Sequence, residues 1–171
     1  MSRLLDKRFA LIGAGNMGFA LLAGWAGQGL QGEAVTVIEP NPSAQLQNLC
    51  KTKGFNLFSE PKSQSPSDAI VLAIKPQMLD ESIHAAEKFL HPGAVLISIL
   101  AGKSIKDLSA RFPQVTSIVR AMPNTPAAVG RGMTGLYAND ATSVQQRDLT
   151  ESLLSPISRL EWLSQEKEID M

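Results

Sequence analysis

Cysteine is nearly absent from this chain: Cys50 is the only one among 171 residues. An intrachain disulfide is therefore impossible, and the composition fits a reducing compartment, which points to the cytoplasm. Histidine is almost as scarce, with only His84 and His91. Both fall in or just beyond a helical stretch, away from any expected catalytic edge, and read as surface residues. Cys50 lies on a helix beside Lys51 and reads as packing. No metal-ligand cluster and no Ser/His/Asp or Cys/His arrangement is visible. Neither charge sign is in excess: Lys+Arg and Asp+Glu each number 16, for a formal net charge of zero. No basic stripe stands out, so nucleic acid is not an expected partner. Long hydrophobic runs are missing too, which argues against a membrane span. The first eight residues carry three basic side chains ahead of Phe9-Ala-Leu-Ile. That apolar run stops at Gly13, too short for the core of a signal peptide.

Hydrophobic residues nonetheless make up 44% of the chain, enough to bury a sizeable core in one domain. Short apolar runs recur at residues 9–12, 34–38 (AVTVI), 69–74 (AIVLAI), 94–99 (AVLISI) and 115–120, with a weaker one at 55–58. Helical stretches alternate with them. Residues 16–30 have Met17, Leu21, Leu22 and Trp25 at near-helical spacing, with Gly29 or Gly32 as the stop. A second helix follows from Asn41 as N-cap and Pro42 at its first position, and Gly54 ends it. A third is opened by Pro76 and reaches about Leu90, and a fourth covers residues 104–111. The strands are continuously apolar, so they are buried on both faces. This predicts an α/β fold: a doubly wound, mostly parallel Rossmann-type sheet with helices on both faces. After Pro123 the texture changes, with a further strand at 133–138, a helix at 143–154 and a last short strand at 159–163. The charged ending Gln165-Glu-Lys-Glu-Ile-Asp-Met reads as a frayed tail or the start of another helix.

Five segments carry chemistry. The first is Gly13-Ala14-Gly15-Asn16-Met17-Gly18. A G-x-G-x-x-G run is weak alone, but here it follows a strand and opens a helix within the first βαβ unit. Gly13 permits the tight turn, Gly15 lets the backbone approach a pyrophosphate, and Gly18 lets the helix pack close to the strand. The pyrophosphate then sits on the helix N-terminus, where free N–H groups and the dipole favour an anion. The second is Glu39, about twenty residues on, where a carboxylate accepts bonds from ribose hydroxyls and repels a 2′-phosphate; its plain alternative is a solvated Glu before a proline. The third is Ala73-Ile74-Lys75-Pro76, at a carboxyl strand end where ligands of open sheets bind; Lys75 is equally readable as a solvent-facing lysine. The fourth is Ser98-Ile99-Leu100-Ala101-Gly102, small residues at the same edge, or an ordinary strand-to-helix turn. The fifth is Arg120-Ala-Met-Pro-Asn-Thr-Pro, a stiff loop presenting Asn124 and Thr125, or a rigid connector.

Together these segments resemble pyrroline-5-carboxylate reductase, with Gly132-Met-Thr-Gly-Leu-Tyr-Ala following at the expected place and Met122-Pro-Asn-Thr-Pro as the most specific stretch. The resemblance implies hydride transfer from NADPH or NADH to the C=N carbon of 1-pyrroline-5-carboxylate, forming L-proline. It places the pyrophosphate on Ile12 to Met17. It puts the ribose and nicotinamide against Ala73, Ile74, Lys75, Pro76, Ile99, Leu100 and Ala101. Asn124 and Thr125 fall at the nicotinamide end, the catalytic group itself being unassigned. Three departures stand out. Leu100 replaces an alanine usual in the family. Glu39-Pro-Asn-Pro replaces short polar or basic residues suited to NADPH. The helical domain that forms the family's homodimer and much of its substrate site does not follow. The expected organisation is thus a dinucleotide-binding domain over residues 1–165, with 166–171 beginning a missing helical dimerisation domain, and little activity for this stretch alone. A β-hydroxyacid dehydrogenase relative and a non-catalytic dinucleotide-binding module are the alternatives.

Overall fold

The apolar runs become the strands of one sheet. The structure, a computed structural model, describes residues 4, 6–123 and 132–170. The strands are β1 (Phe9–Ile12), β2 (Val35–Ile38), β3 (Asn56–Phe58), β4 (Ala69–Leu72), β5 (Val95–Ser98), β6 (Ser117–Pro123), β7 (Gly132–Ala138) and β8 (Ser158–Trp162). Their order across the sheet is β3-β2-β1-β4-β5-β6-β7-β8. Every pairing is parallel except that of β6 with β7. The direction of winding reverses between β1 and β4, which pair as Phe9 with Ala69 through Ile12 with Leu72. Such a reversal opens a crevice at the carboxyl ends of the two strands.

The period of two along each strand divides the core. Phe9, Leu11, Val35, Val37, Val71, Val95, Ile97 and Val119 point to one face. That face is covered by α1 (Asn16–Gly27), α2 (Ala44–Lys53) and α5 (Val144–Leu154). Ala10, Ile12, Ile70, Leu72, Leu96 and Ile118 point to the other, under α3 (Leu79–Glu87) and α4 (Ile105–Arg111). Each fully buried aliphatic side chain contributes about 1.5–3 kcal/mol. Trp25 of α1 is wholly buried beside Phe9, with ring centroids 6.1 Å apart. Its indole N–H donates to the Leu153 carbonyl at 2.8 Å and so bolts α1 to α5.

Several element ends differ from the sequence expectation. The cap of α2 is Ser43, whose hydroxyl accepts the Leu46 N–H at 3.0 Å. Asn41 lies two residues before that position and gives its main-chain N–H to Glu39 instead. The helix does end at Gly54, which has φ +76°, and the Phe55 N–H closes back on the Cys50 carbonyl. Pro76 opens a 3-10 turn (Pro76–Met78), and α3 proper begins only at Leu79. Strand β6 runs past Arg120 to Pro123 because β7 pairs with it, Met122 opposite Gly135 and Pro123 opposite Thr134. His84 is exposed as expected. His91 is half-buried: it accepts the Gly93 N–H and faces the Ser67 carbonyl, holding a turn. Residues Glu166–Asp170 form a 3-10 helix whose Ile169 is buried. Among the described residues no helix is long and apolar enough to cross a membrane.

Candidate dinucleotide-binding cleft

Strand β1 delivers the glycine loop to the crevice, and the three glycines do different work. Gly13 has φ +90°, which any other residue would resist. A Cβ there would also lie 2.7 Å from the Ala73 carbonyl oxygen. A Cβ on Gly18 would meet the Gly13 carbonyl oxygen at 2.5 Å, so α1 is seated directly on the loop that precedes it. At Gly15 a Cβ would meet nothing within 4 Å: the space it would enter is the open cleft. The loop is fastened on both sides. Gly13 N–H donates to the Ile38 carbonyl at 2.8 Å, and Ala73 N–H to the Ile12 carbonyl at 2.8 Å.

Gly15 is the N-cap of α1, with no side chain capping the helix and no acidic residue in its first turn. The first-turn N–H groups, which lack intrahelical partners, therefore face the cleft without a competing carboxylate on the helix. Both Gly15 and Asn16 are exposed. This is the geometry of an anion cradle.

The cleft has two halves. One, of about 780 Å³, runs from Ala14, Gly15 and Asn16 past Glu39, Asn41 and Ser43 at the end of β2. The other, of about 320 Å³, is lined by Gly15, Asn16, Met17, Ala73, Ile74, Lys75, Ile99, Met122 and Pro123. Segments 12–18, 73–75 and 99, far apart in sequence, thus meet at one edge. Glu39 closes the first half. Its Oε1 accepts the Ala14 N–H at 2.9 Å and its Oε2 the Asn41 N–H at 3.0 Å.

Some expected residues take other places. Ile12 is buried in the core beneath the loop, and Pro76 starts the 3-10 turn behind Lys75. Leu100 turns its side chain into the core, where it is 1% exposed. Ala101 is exposed just beyond it. Asn124 and Thr125 lie outside the described residues. Met122 and Pro123, which sequence reasoning treated only as part of a stiff loop, line the cleft because β7 extends β6.

Arg120, part of the fifth segment, faces away from solvent. Its side chain is 2% exposed, and its guanidinium pairs with Asp170 at 2.8 Å and Glu166 at 3.1 Å. Glu166 also accepts the Ile105 N–H at the start of α4. Partners 46 and 50 residues away leave no local signal. Cys50 is buried, and that burial pushes its thiol above the ordinary pKa.

Known proteins resemble this chain in sequence and fold. A family model described as NADP oxidoreductase, coenzyme F420-dependent, matches residues 8–102. A pyrroline-5-carboxylate reductase of Haemophilus influenzae is 39% identical over 166 residues, covering 95% of this chain and 60% of the relative. The solved structure of a pyrroline-5-carboxylate reductase from Coxiella burnetii is similar with a TM-score of 0.84 at 26% identity, covering 95% of this chain and 61% of that one. A pyrroline carboxylate reductase of Plasmodium falciparum, solved with NADP bound, gives 0.77 at 24% identity, covering 96% and 60%; at that identity the likeness concerns the fold. The resemblance read from the motifs is therefore borne out. The chain spans about 60% of the length of the curated relatives it matches.

Proposed function

The chain belongs to the family of NADP oxidoreductases described as coenzyme F420-dependent; on that premise we propose that it is the dinucleotide-holding part of a pyrroline-5-carboxylate reductase, which reduces 1-pyrroline-5-carboxylate to L-proline with NADPH or NADH. The observation that carries this reading is the single cleft along the carboxyl edge of the sheet. There the uncapped start of α1, the end of β2 and the ends of β4, β5 and β6 converge.

The residues fit a dinucleotide. The open space over Gly15 and the N–H groups of the first turn of α1 would hold the pyrophosphate. Glu39 would take the adenosine ribose. Ala73, Ile74, Lys75 and Ile99 would line the nicotinamide half; Ala101, and Asn124 and Thr125, which lie outside the described residues, are kept as candidates on the resemblance alone. When bound, the cofactor supplies a hydride to the imine carbon. The work of the chain is placement: it fixes one reactant against a stiff sheet edge and removes the entropic cost of encounter. A cyclic imine is basic enough to arrive protonated, so these residues need not supply the proton. The substrate carboxylate would be held mainly by a helical domain following residue 165. That domain would also pair the full-length protein into a homodimer or larger assembly, in the cytoplasm.

Titration calorimetry of the purified 171-residue chain tests both halves of this reading. The chain is expected to bind NADH or NADPH without substrate, and binding of neither removes the cofactor assignment. Proline formation by the chain alone is expected to be negligible; a robust rate would show that the substrate site is complete without a further domain.

A further inference from the structure

The two halves of the cleft carry opposite charge. Around the β2 end the lining residues include one charged side chain, Glu39, and no Lys, Arg or His. The lysine of the cleft, Lys75, lines the other half. Glu39 is held in place at both oxygens, by the N–H groups of Ala14 and Asn41. Its own N–H is fixed to the Phe58 carbonyl at 2.9 Å. These partners are neutral main-chain groups, so the bonds orient the carboxylate without neutralising it. Each oxygen accepts one of these bonds and has capacity for a further donor.

From this geometry we infer that Glu39 selects the dinucleotide that lacks a 2′-phosphate, making this chain NADH-preferring within a family described by NADP. The inference rests on the proposed binding of a dinucleotide in the cleft. A free ribose 2′-hydroxyl donates to the carboxylate in a charge-assisted bond. A 2′-phosphate offers an anion to a fixed anion, and among the described residues the lining of this half supplies no cation to offset the repulsion. Because Glu39 also holds the Ala14 N–H, the group that reads the ribose is tied to the loop that cradles the pyrophosphate. The carboxylate cannot swing aside for a phosphate without giving up its bond to the Ala14 N–H.

The test is a pair of titrations with NADH and NADPH on the native chain and two variants, at one fixed low ionic strength. The native chain is expected to bind NADH at least about tenfold more tightly, the equivalent of one charge-assisted bond. Glu39→Gln keeps the shape and removes the charge, and is expected to shrink that ratio about tenfold. Because Gln cannot accept from both N–H groups through oxygen, a second variant guards against a disturbed loop. Asn41→Arg keeps Glu39 and the main-chain Asn41 N–H bond and adds a cation at the cleft edge. It is expected to tighten NADPH several-fold relative to NADH, whatever it does to NADH itself. Equal or tighter binding of NADPH by the native chain overturns the inference, as does a ratio that neither variant moves. Binding of neither dinucleotide overturns the underlying cofactor reading instead.

Discussion

Gly15→Ala and Gly18→Ala add the same methyl group three residues apart, and the structure assigns them different consequences. At Gly18 the new Cβ would stand 2.5 Å from the Gly13 carbonyl oxygen and 3.3 Å from the Ala73 Cβ. The first contact is with main chain that is itself bonded to Ile38, so α1 must slide outward. Overpacking of this kind costs about 1–3 kcal/mol. For a chain of this size that lowers the melting temperature by roughly 2–12 °C. It also moves the helix start, so dinucleotide affinity falls as well. At Gly15 the backbone has φ −72°, which alanine accepts, and the new Cβ meets no protein atom within 4 Å. Stability should change by less than about 1 kcal/mol, the difference between Gly and Ala at an N-cap. The methyl group nevertheless occupies the space through which a pyrophosphate would reach the N–H groups of α1, and dinucleotide binding should weaken at least about tenfold. Thermal melts and NADH titration on the two variants separate the effects. If Gly15→Ala binds NADH as the native chain does, the pyrophosphate does not lie where the loop places it. If Gly18→Ala melts like the native chain, the close seating of α1 is not real.

Two further outcomes are expected. Ser43→Ala should lower stability by about 1 kcal/mol in urea unfolding, as loss of an N-cap does, whereas Asn41→Ala should be nearly neutral because Asn41 contributes its main-chain N–H. Arg120→Met should destabilise by about 1–3 kcal/mol in the same assay. That is less than for a fully buried pair, because the carboxylates of Glu166 and Asp170 are 30% and 49% exposed and can return to water.

The sheet was legible because strands buried on both faces must be apolar at every position, a pattern that survives short length. The glycine loop was legible because its three glycines fall within six residues, although the Ala73 carbonyl that bars a side chain at Gly13 comes from the end of β4. What sequence reasoning missed depends on contacts made across the fold. Ser43 rather than Asn41 caps α2 because the chain turns into the helix two residues later than Asn41-Pro42 suggests. Strand β6 gains its last residues, and the cleft gains Met122 and Pro123, from pairing with β7. The role of Arg120 appears only when residues 166 and 170 come back beneath β6. Leu100 reads as a cleft residue by position, but the turn directs it inward.

The division of the core by the sheet has a consequence for how this chain can vary. Ile70 and Val71 are neighbours in sequence, yet they belong to packing environments separated by a layer of hydrogen-bonded backbone. Val71 shares its environment with Trp25 and Leu153, which are distant in sequence, whereas Ile70 shares its own with Phe89 and Phe112. Energetic coupling between substitutions requires shared partners. Odd and even positions of one strand are therefore nearly independent of each other, while substitutions widely separated along the chain but under one face are not. Each face can be repacked over successive substitutions without disturbing the other, and the glycine loop, which both faces support at the end of β1, is the place where the two histories must agree.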